Sequence, residues 1–177
     1  MNWKENLPAL KFLGLFLGCY FVGNIIYGLF IQYNYPLADG MTKWVADQSS
    51  WLMNGWLGGK TISIVSTSEP IVGILEGGKT ILRVYEGCNG INVMIVFVAF
   101  IVAFGGLTKK GLVYTLASLI IIYLANLMRI TLLFWVAKNH QSYFYYVHKY
   151  VFTATLYVIV LALWWLWVAV VLKRKET

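Results

Sequence analysis

Long apolar runs constrain this chain more than any other feature. A helix needs roughly 20 apolar residues to cross the hydrocarbon core of a bilayer, with about 17 as the lower limit. Four stretches meet or approach that length: Ala9–Ile31, interrupted by Lys11 and Asn24; Gly90–Gly105, long enough when Cys88 and Asn89 begin the helix; Leu112–Val136, carrying Asn126 and Arg129; and Tyr150–Leu172, free of charge. With 60% hydrophobic and 12% charged residues among 177, a soluble fold would lack the polar surface to cover so much apolar side chain. The expectation is one all-α polytopic membrane domain over residues 1–177, with about four transmembrane helices at 9–31, 88–105, 112–136 and 150–172.

Charge enters next, as a topology signal. A net charge of +7 would suit a nucleic-acid binder, but no basic stripe interleaved with stacking aromatics is present, so no nucleic-acid partner is expected. Lys4, Lys11, Lys109, Lys110, Lys173, Arg174 and Lys175 instead fall in short segments beside apolar runs. The segments 32–87 and 137–149 are much longer and hold only six cations. The positive-inside rule then puts both termini in the cytoplasm. The eight Trp and twelve Tyr suit the lipid–water boundary. The first run resembles a signal peptide, with Phe16-Leu17-Gly18-Cys19 near a lipoprotein cleavage pattern, but it continues twelve residues past Cys19. It is read as a permanent helix, with Cys19 as an apolar filler near mid-membrane.

The outer segment 32–87 carries structure of its own. Trp44, Val45, Trp51, Leu52 and Trp56 share one arc of a helical wheel, with Asp47, Ser50 and Asn54 opposite; this reads as a short interfacial helix on the outer leaflet. After Gly58-Gly59, the β-branched runs Thr61–Val65, Ile71–Leu75 and Thr80–Tyr85, separated by Pro70 and Gly77-Gly78, read as short strands.

Three residues capable of acyl chemistry fall at one membrane depth in this topology. Cys88 sits in Tyr85-Glu86-Gly87-Cys88-Asn89-Gly90 at the outer end of the second span. If a helix begins there, its unpaired N–H groups favour thiolate, the reactive form of a cysteine, and the N–H groups of Cys88 and Asn89 offer an oxyanion site. The alternative is a buried structural thiol. Arg129 lies seven residues before the outer end of its span at Val136, roughly 10 Å along the helix. A cation in that position costs about 2.5–3.5 kcal/mol on insertion scales, which marks it as functional, unless it snorkels to lipid phosphates. Asn126, three residues earlier on the same face, would orient it. His148 precedes the last span, and His140 in the same short loop competes with it as a base; the residues alone leave that choice open. There is no His-Glu-x-x-His, no Asp pair within the spans and no Gly-x-Ser-x-Gly, so zinc, aspartyl and serine chemistries lack their residues. No metal or organic cofactor is expected.

Glu86-Gly87-Cys88-Asn89-Gly90, then Asn126-Leu127-Met128-Arg129-Ile130, then His148 before a final apolar helix resemble the exosortase/archaeosortase family, from about Val84 to Tyr157. The small size resembles its short Bacteroidetes-type branch, often called exosortase F. The resemblance implies a membrane-embedded cysteine protease or transpeptidase that processes C-terminal sorting signals of exported proteins. It also implies a bacterial inner-membrane location with the active site at the outer, periplasmic face. Carried over, Cys88 is the nucleophile, His148 the general acid/base and Arg129 the group that positions or stabilises the oxyanion. Asn89 stands where many members have Ser, and the extra helices of many members are missing, so their usual substrate motif is not carried over. The partners implied are exported proteins with a hydrophobic C-terminal tail, membrane lipid and an unidentified acceptor. The outer strands offer a cleft where an extended substrate would pair its backbone.

Two other function classes fit the same residues. A non-catalytic assembly partner would use Arg129 against a neighbouring helix and leave Cys88 passive, so Cys88→Ser separates it from an enzyme. A thiol-dependent acyltransferase would carry a fatty acyl group rather than a peptide on Cys88.

Overall fold

A computed structural model describes residues 3–56, 62–66 and 69–173. Gly58, Gly59, Thr61, Arg174 and Lys175 lie outside them, as does the side chain of Trp56. The chain runs through helix α1 (Trp3–Asn34), helix α2 (Gly40–Trp56), strands β1 (Ile62–Ser66), β2 (Ile71–Glu76) and β3 (Lys79–Tyr85), helix α3 (Ile91–Ala103) and helix α4 (Lys109–Asn139). Helical turns over 141–151 then lead into helix α5 (Phe152–Lys173).

Among the described residues, three helical stretches are long and apolar enough to cross a membrane: Asn6–Asn34, Lys109–Asn139 and Gln141–Ala169. The fourth expected span is shorter than predicted. α3 has 13 residues, about 20 Å of helix against a hydrocarbon core of about 30 Å. The reason lies at its start. Cys88 ends a 3₁₀ turn over Glu86–Cys88, and Gly90, at φ +84°, caps α3 in the left-handed region. The helix therefore begins at Ile91, and Cys88 and Asn89 precede it. At the other end, Gly105 and Gly106 break the run, and Thr108 caps α4 by accepting a 3.0 Å hydrogen bond from the N–H of Gly111, one of the otherwise orphaned donors of a helix start.

The strands sit within two residues of their expected limits. They form an antiparallel sheet in the order β1-β2-β3, with Gly77-Gly78, both at positive φ, closing the β2–β3 hairpin as a two-residue turn requires. Cross-strand pairs Val72–Val84 and Ile74–Leu82 share one face and are buried. That face packs with Val45 and Met53 of α2 and Leu127, Ile130, Leu133 and Phe134 of α4, each such burial stabilising by about 1.5–3 kcal/mol where water is the alternative.

α2 is a helix as expected, and of the arc read as interfacial Trp44 and Trp51 are exposed while Val45 is buried. Thr42, Ala46, Ser49, Ser50 and Met53 are buried as well. Small side chains allow α2 to approach the sheet and α4 closely, and the large rings are turned outward. Ser50 is buried, and Asn54, though exposed, is bound to β1 rather than to solvent alone. The Asn54 amide donates to the carbonyl of Ile62 (2.8 Å) and accepts from its N–H (2.7 Å), and Ser50 donates to the same carbonyl (3.3 Å), so α2 stands in for a strand partner at the start of β1. Asp39 caps α2, its Oδ1 accepting from the N–H groups of Met41 (2.8 Å) and Thr42 (3.1 Å).

A second core lies among the apolar helices, where Phe97 and Ile101 of α3, Ile122 of α4, and Val160, Leu163 and Trp167 of α5 are buried together. Phe100 stacks on Trp164 at 4.3 Å, and the Tyr114 hydroxyl donates to the carbonyl of Leu163 at 2.6 Å. Packing of this kind, with internal hydrogen bonds, is what associates helices in lipid. α4 is common to both cores.

Candidate active site

β3 fixes where Cys88 stands. At its start, Glu76, opposite Lys79 in the hairpin, pairs with Lys138 near the end of α4 at 2.8 Å. At its finish, the carbonyl of Cys88 accepts a 3.0 Å hydrogen bond from Nδ2 of Asn126. Those two α4 residues are about 18 Å apart along the helix, close to the length of about 20 Å expected for β3. The strand thus runs along the last part of α4, antiparallel to it, and delivers Cys88 to the level of Asn126 and Arg129.

Asn126 is fully buried and joins two elements. While its Nδ2 holds the Cys88 carbonyl, its Oδ1 accepts from Nη1 of Arg129 at 3.4 Å. Close approach here depends on Gly90, because a Cβ at that position would meet the Asn126 side chain at 3.2 Å and would also be strained at φ +84°. The Nε of Arg129 is buried without a partner, leaving a cationic donor free.

Asn89, expected to offer its N–H with that of Cys88 as an oxyanion site, is engaged through both side chain and backbone. Its Nδ2 donates to Tyr27 Oη and to Thr42 Oγ1 (3.1 Å), and its Oδ1 accepts from the N–H of Ile91 (3.0 Å). Its backbone N–H closes the turn onto Glu86 (3.4 Å). Asn89 therefore pins the Cys88 turn to α1 and α2, and Thr42 Oγ1 extends the network by donating to Asp39 Oδ2. Nearby Glu86 has its carboxyl raised above the ordinary range by burial and then by the charge of Asp39.

His148 reaches the same place from the far end of the chain. It lies in a π-helical turn, Val147–Val151, a distortion often found at functional sites, and its ring stacks on Phe144 at 5.7 Å. Cys88 and His148 both line one cavity of about 340 Å³, whose other walls are β3, Ile130, Leu133 and Phe144. Cys88 is 6% exposed, so this cavity is its approach. Arg129 is near enough to act electrostatically on His148. His140 is elsewhere, against Trp135 at the end of α4 (5.1 Å). Cys19 sits in α1 beside Gly23 and Ile95, and both cysteines are free.

Tyr85 is a site residue that the sequence reading missed. It lines the cavity together with Cys88, and the charge of Cys88, then burial, hold its hydroxyl above the ordinary phenol range, with Arg129 acting in the opposite sense. It stays a neutral hydroxyl. The ring folds back over Gly87, where a Cβ would meet it at 3.2 Å. A strand ending three residues before a cysteine, with an aromatic as its last residue, was the available signal.

The constellation brings a thiol, an imidazole and a phenol to one cavity, parts suited to nucleophilic attack on a carbonyl and proton transfer to a leaving group. Arg129 borders a neighbouring space between α4 and α5 and joins the Cys88 turn through Asn126. The chain matches the family described as transmembrane exosortase (Exosortase_EpsH) over residues 7–168. No curated protein and no solved structure matches it.

Proposed function

Because the chain belongs to the transmembrane exosortase family, we propose that it is a membrane-embedded cysteine protease or transpeptidase acting on C-terminal sorting signals of exported proteins. The observation that carries this reading is the shared cavity: Cys88 and His148, 60 positions apart in the sequence, line the same space, and Asn126 ties Arg129 to the Cys88 turn. The small size is the basis for assigning it to the short, exosortase F-like branch.

In the proposed reaction the Cys88 thiol gives its proton to His148 and the sulfur attacks the scissile carbonyl, forming a C–S bond and a tetrahedral oxyanion. Arg129, tied to the Cys88 turn through Asn126, stabilises that charge. Collapse breaks the C–N bond, and His148 returns the proton to the leaving amine, which departs with the hydrophobic tail. The thioester on Cys88 is then opened by water, giving a carboxylate, or by an amine or hydroxyl acceptor, giving a new amide or ester. His148 accepts the incoming proton and the thiol is restored. Tyr85, which lines the cavity with Cys88, offers its hydroxyl as a donor to the sulfur. A cavity of about 190 Å³ between α4 and α5, bordered by Met128, Arg129, Leu132, Leu156 and Ile159, offers room for a side chain of the tail helix. The distribution of Lys and Arg favours cytoplasmic termini, which sets the reaction at the outer face of the bacterial inner membrane.

Mass spectrometry of surface proteins from cells carrying wild type, Cys88→Ala or Cys19→Ala tests the reading. Exported proteins should keep their hydrophobic C-terminal tails only with Cys88→Ala. Equal processing in all three strains, with the chain expressed, would remove Cys88 from the role of nucleophile.

A further inference from the structure

The sheet ends at β3, which pairs with β2 on one side and with no other strand among the described residues. An unpaired strand edge presents N–H and C=O groups that a second extended chain can satisfy. On this protein the free edge is also a wall of the reactive cavity. Thr80, Ile81, Leu82, Arg83, Val84 and Tyr85 border it in unbroken succession. Side chains of a strand alternate between its two faces, so six consecutive residues border one space only when that space runs along the strand edge. Across from the edge stand Phe144 and His148, and Cys88 lies at its end.

We infer that substrate is held by strand addition: the segment of the exported protein just ahead of the scissile bond pairs along the free edge of β3, parallel to it. This rests on the reading of Cys88 as the processing nucleophile. The direction follows from the way β3 is anchored. Its start is level with Lys138, near the end of α4, and its finish is level with Asn126, well inside a helix long enough to span the bilayer. The strand therefore descends from the membrane surface toward the membrane interior. A protein whose folded part is outside and whose C-terminal tail is in lipid descends in the same sense, so its backbone runs with β3 rather than against it. The scissile carbonyl arrives at Cys88 where the pairing ends, and the tail continues beside α4. Backbone pairing supplies affinity that side chains do not dictate, which lets one enzyme accept several exported proteins.

The probe is an exported protein that keeps its tail in the Cys88→Ala strain. Proline is placed at each position of its last residues before the cleavage point, and processing by the unaltered enzyme is measured. Strand addition predicts alternation: about tenfold loss where the N–H faces β3, the equivalent of one backbone hydrogen bond, and little change at the residues between. Direction is read separately, with a photocrosslinking residue in place of Thr80 or Arg83 in the Cys88→Ala chain and in place of Val65, on β1, as control. Parallel pairing predicts that Thr80 captures a position farther ahead of the cleavage point than Arg83 does, and that Val65 captures none. Uniform tolerance of proline, a reversed order of crosslinks, or equal capture from Val65 would overturn the inference while tail retention left the enzyme reading standing. Failure of Cys88→Ala to retain any tail would overturn both.

Discussion

Asn126 in α4 donates 3.0 Å to the backbone carbonyl of Cys88, a contact between residues 38 positions apart that sets the height of the thiol against the membrane. A main-chain acceptor is used, so this hydrogen bond does not engage the Cys88 thiol. The same amide accepts from Arg129, and one buried side chain thus governs the spacing of thiol and guanidinium.

Replacing that amide should therefore affect both stability and rate. Asn126→Ala leaves a buried carbonyl without its donor, costing about 1–3 kcal/mol, and unseats Arg129. A lower melting temperature in detergent and at least a severalfold loss of tail processing are expected. Gln at this position, one methylene longer beneath Gly90, should not restore either.

Gly90→Ala should resemble a site mutation although it removes no reactive group. The left-handed φ costs an L-residue about 1–2 kcal/mol, and the new methyl presses on Asn126 at 3.2 Å. Processing should fall with the protein still inserted in the membrane, as judged by fractionation and by labelling of Cys88 with a maleimide.

The two histidines should separate cleanly. His148→Ala should lower processing by about 10²–10⁴-fold, the usual contribution of a general acid–base, whereas His140→Ala, whose ring rests on Trp135, should stay within about twofold of wild type. Tail retention measured by mass spectrometry in each strain decides this, and the opposite ranking would move the base to the end of α4.

Tyr85→Phe keeps the ring over Gly87 and removes the hydroxyl at the sulfur. Alkylation of Cys88 by iodoacetamide, in a Cys19→Ala background, should slow severalfold. The sign of the pH effect follows from the raised phenol. Its proton is held more tightly in the folded chain than in the unfolded one, so its stabilising contribution is present below the ordinary value of 10.0 and is lost as pH rises past it. The difference between wild type and Tyr85→Phe should accordingly be flat across neutral pH and fade in strong alkali.

Much of this arrangement was legible in the sequence. Ile71–Leu75 and Thr80–Tyr85 announce themselves by β-branching and by the Gly77-Gly78 break, and both form strands. The rest escaped for identifiable reasons. A helical wheel reports that α2 has two faces and puts Trp44 and Trp51 at a lipid boundary, but the buried face of Thr42, Ala46, Ser49 and Met53 is set by close packing on the sheet and α4, which a wheel does not register. The helix start at Ile91 was hidden by an apolar run that gave no sign of the left-handed turn at Gly90. The side-chain partners of Asn89, Tyr27 and Thr42, lie 62 and 47 residues away, contacts that only tertiary structure supplies.

Those distant partners have a genetic consequence. The turn bearing Cys88 is moored through one amide to the first helix and to the cap of the second, so damage at Tyr27 or Thr42 should reach the thiol without touching substrate. A random-mutagenesis screen for lost sorting would return alleles from the N-terminal quarter of the chain, which holds none of the proposed reactive groups. Their rescue by second-site changes should cluster around Asn89, tracing the mooring from both ends.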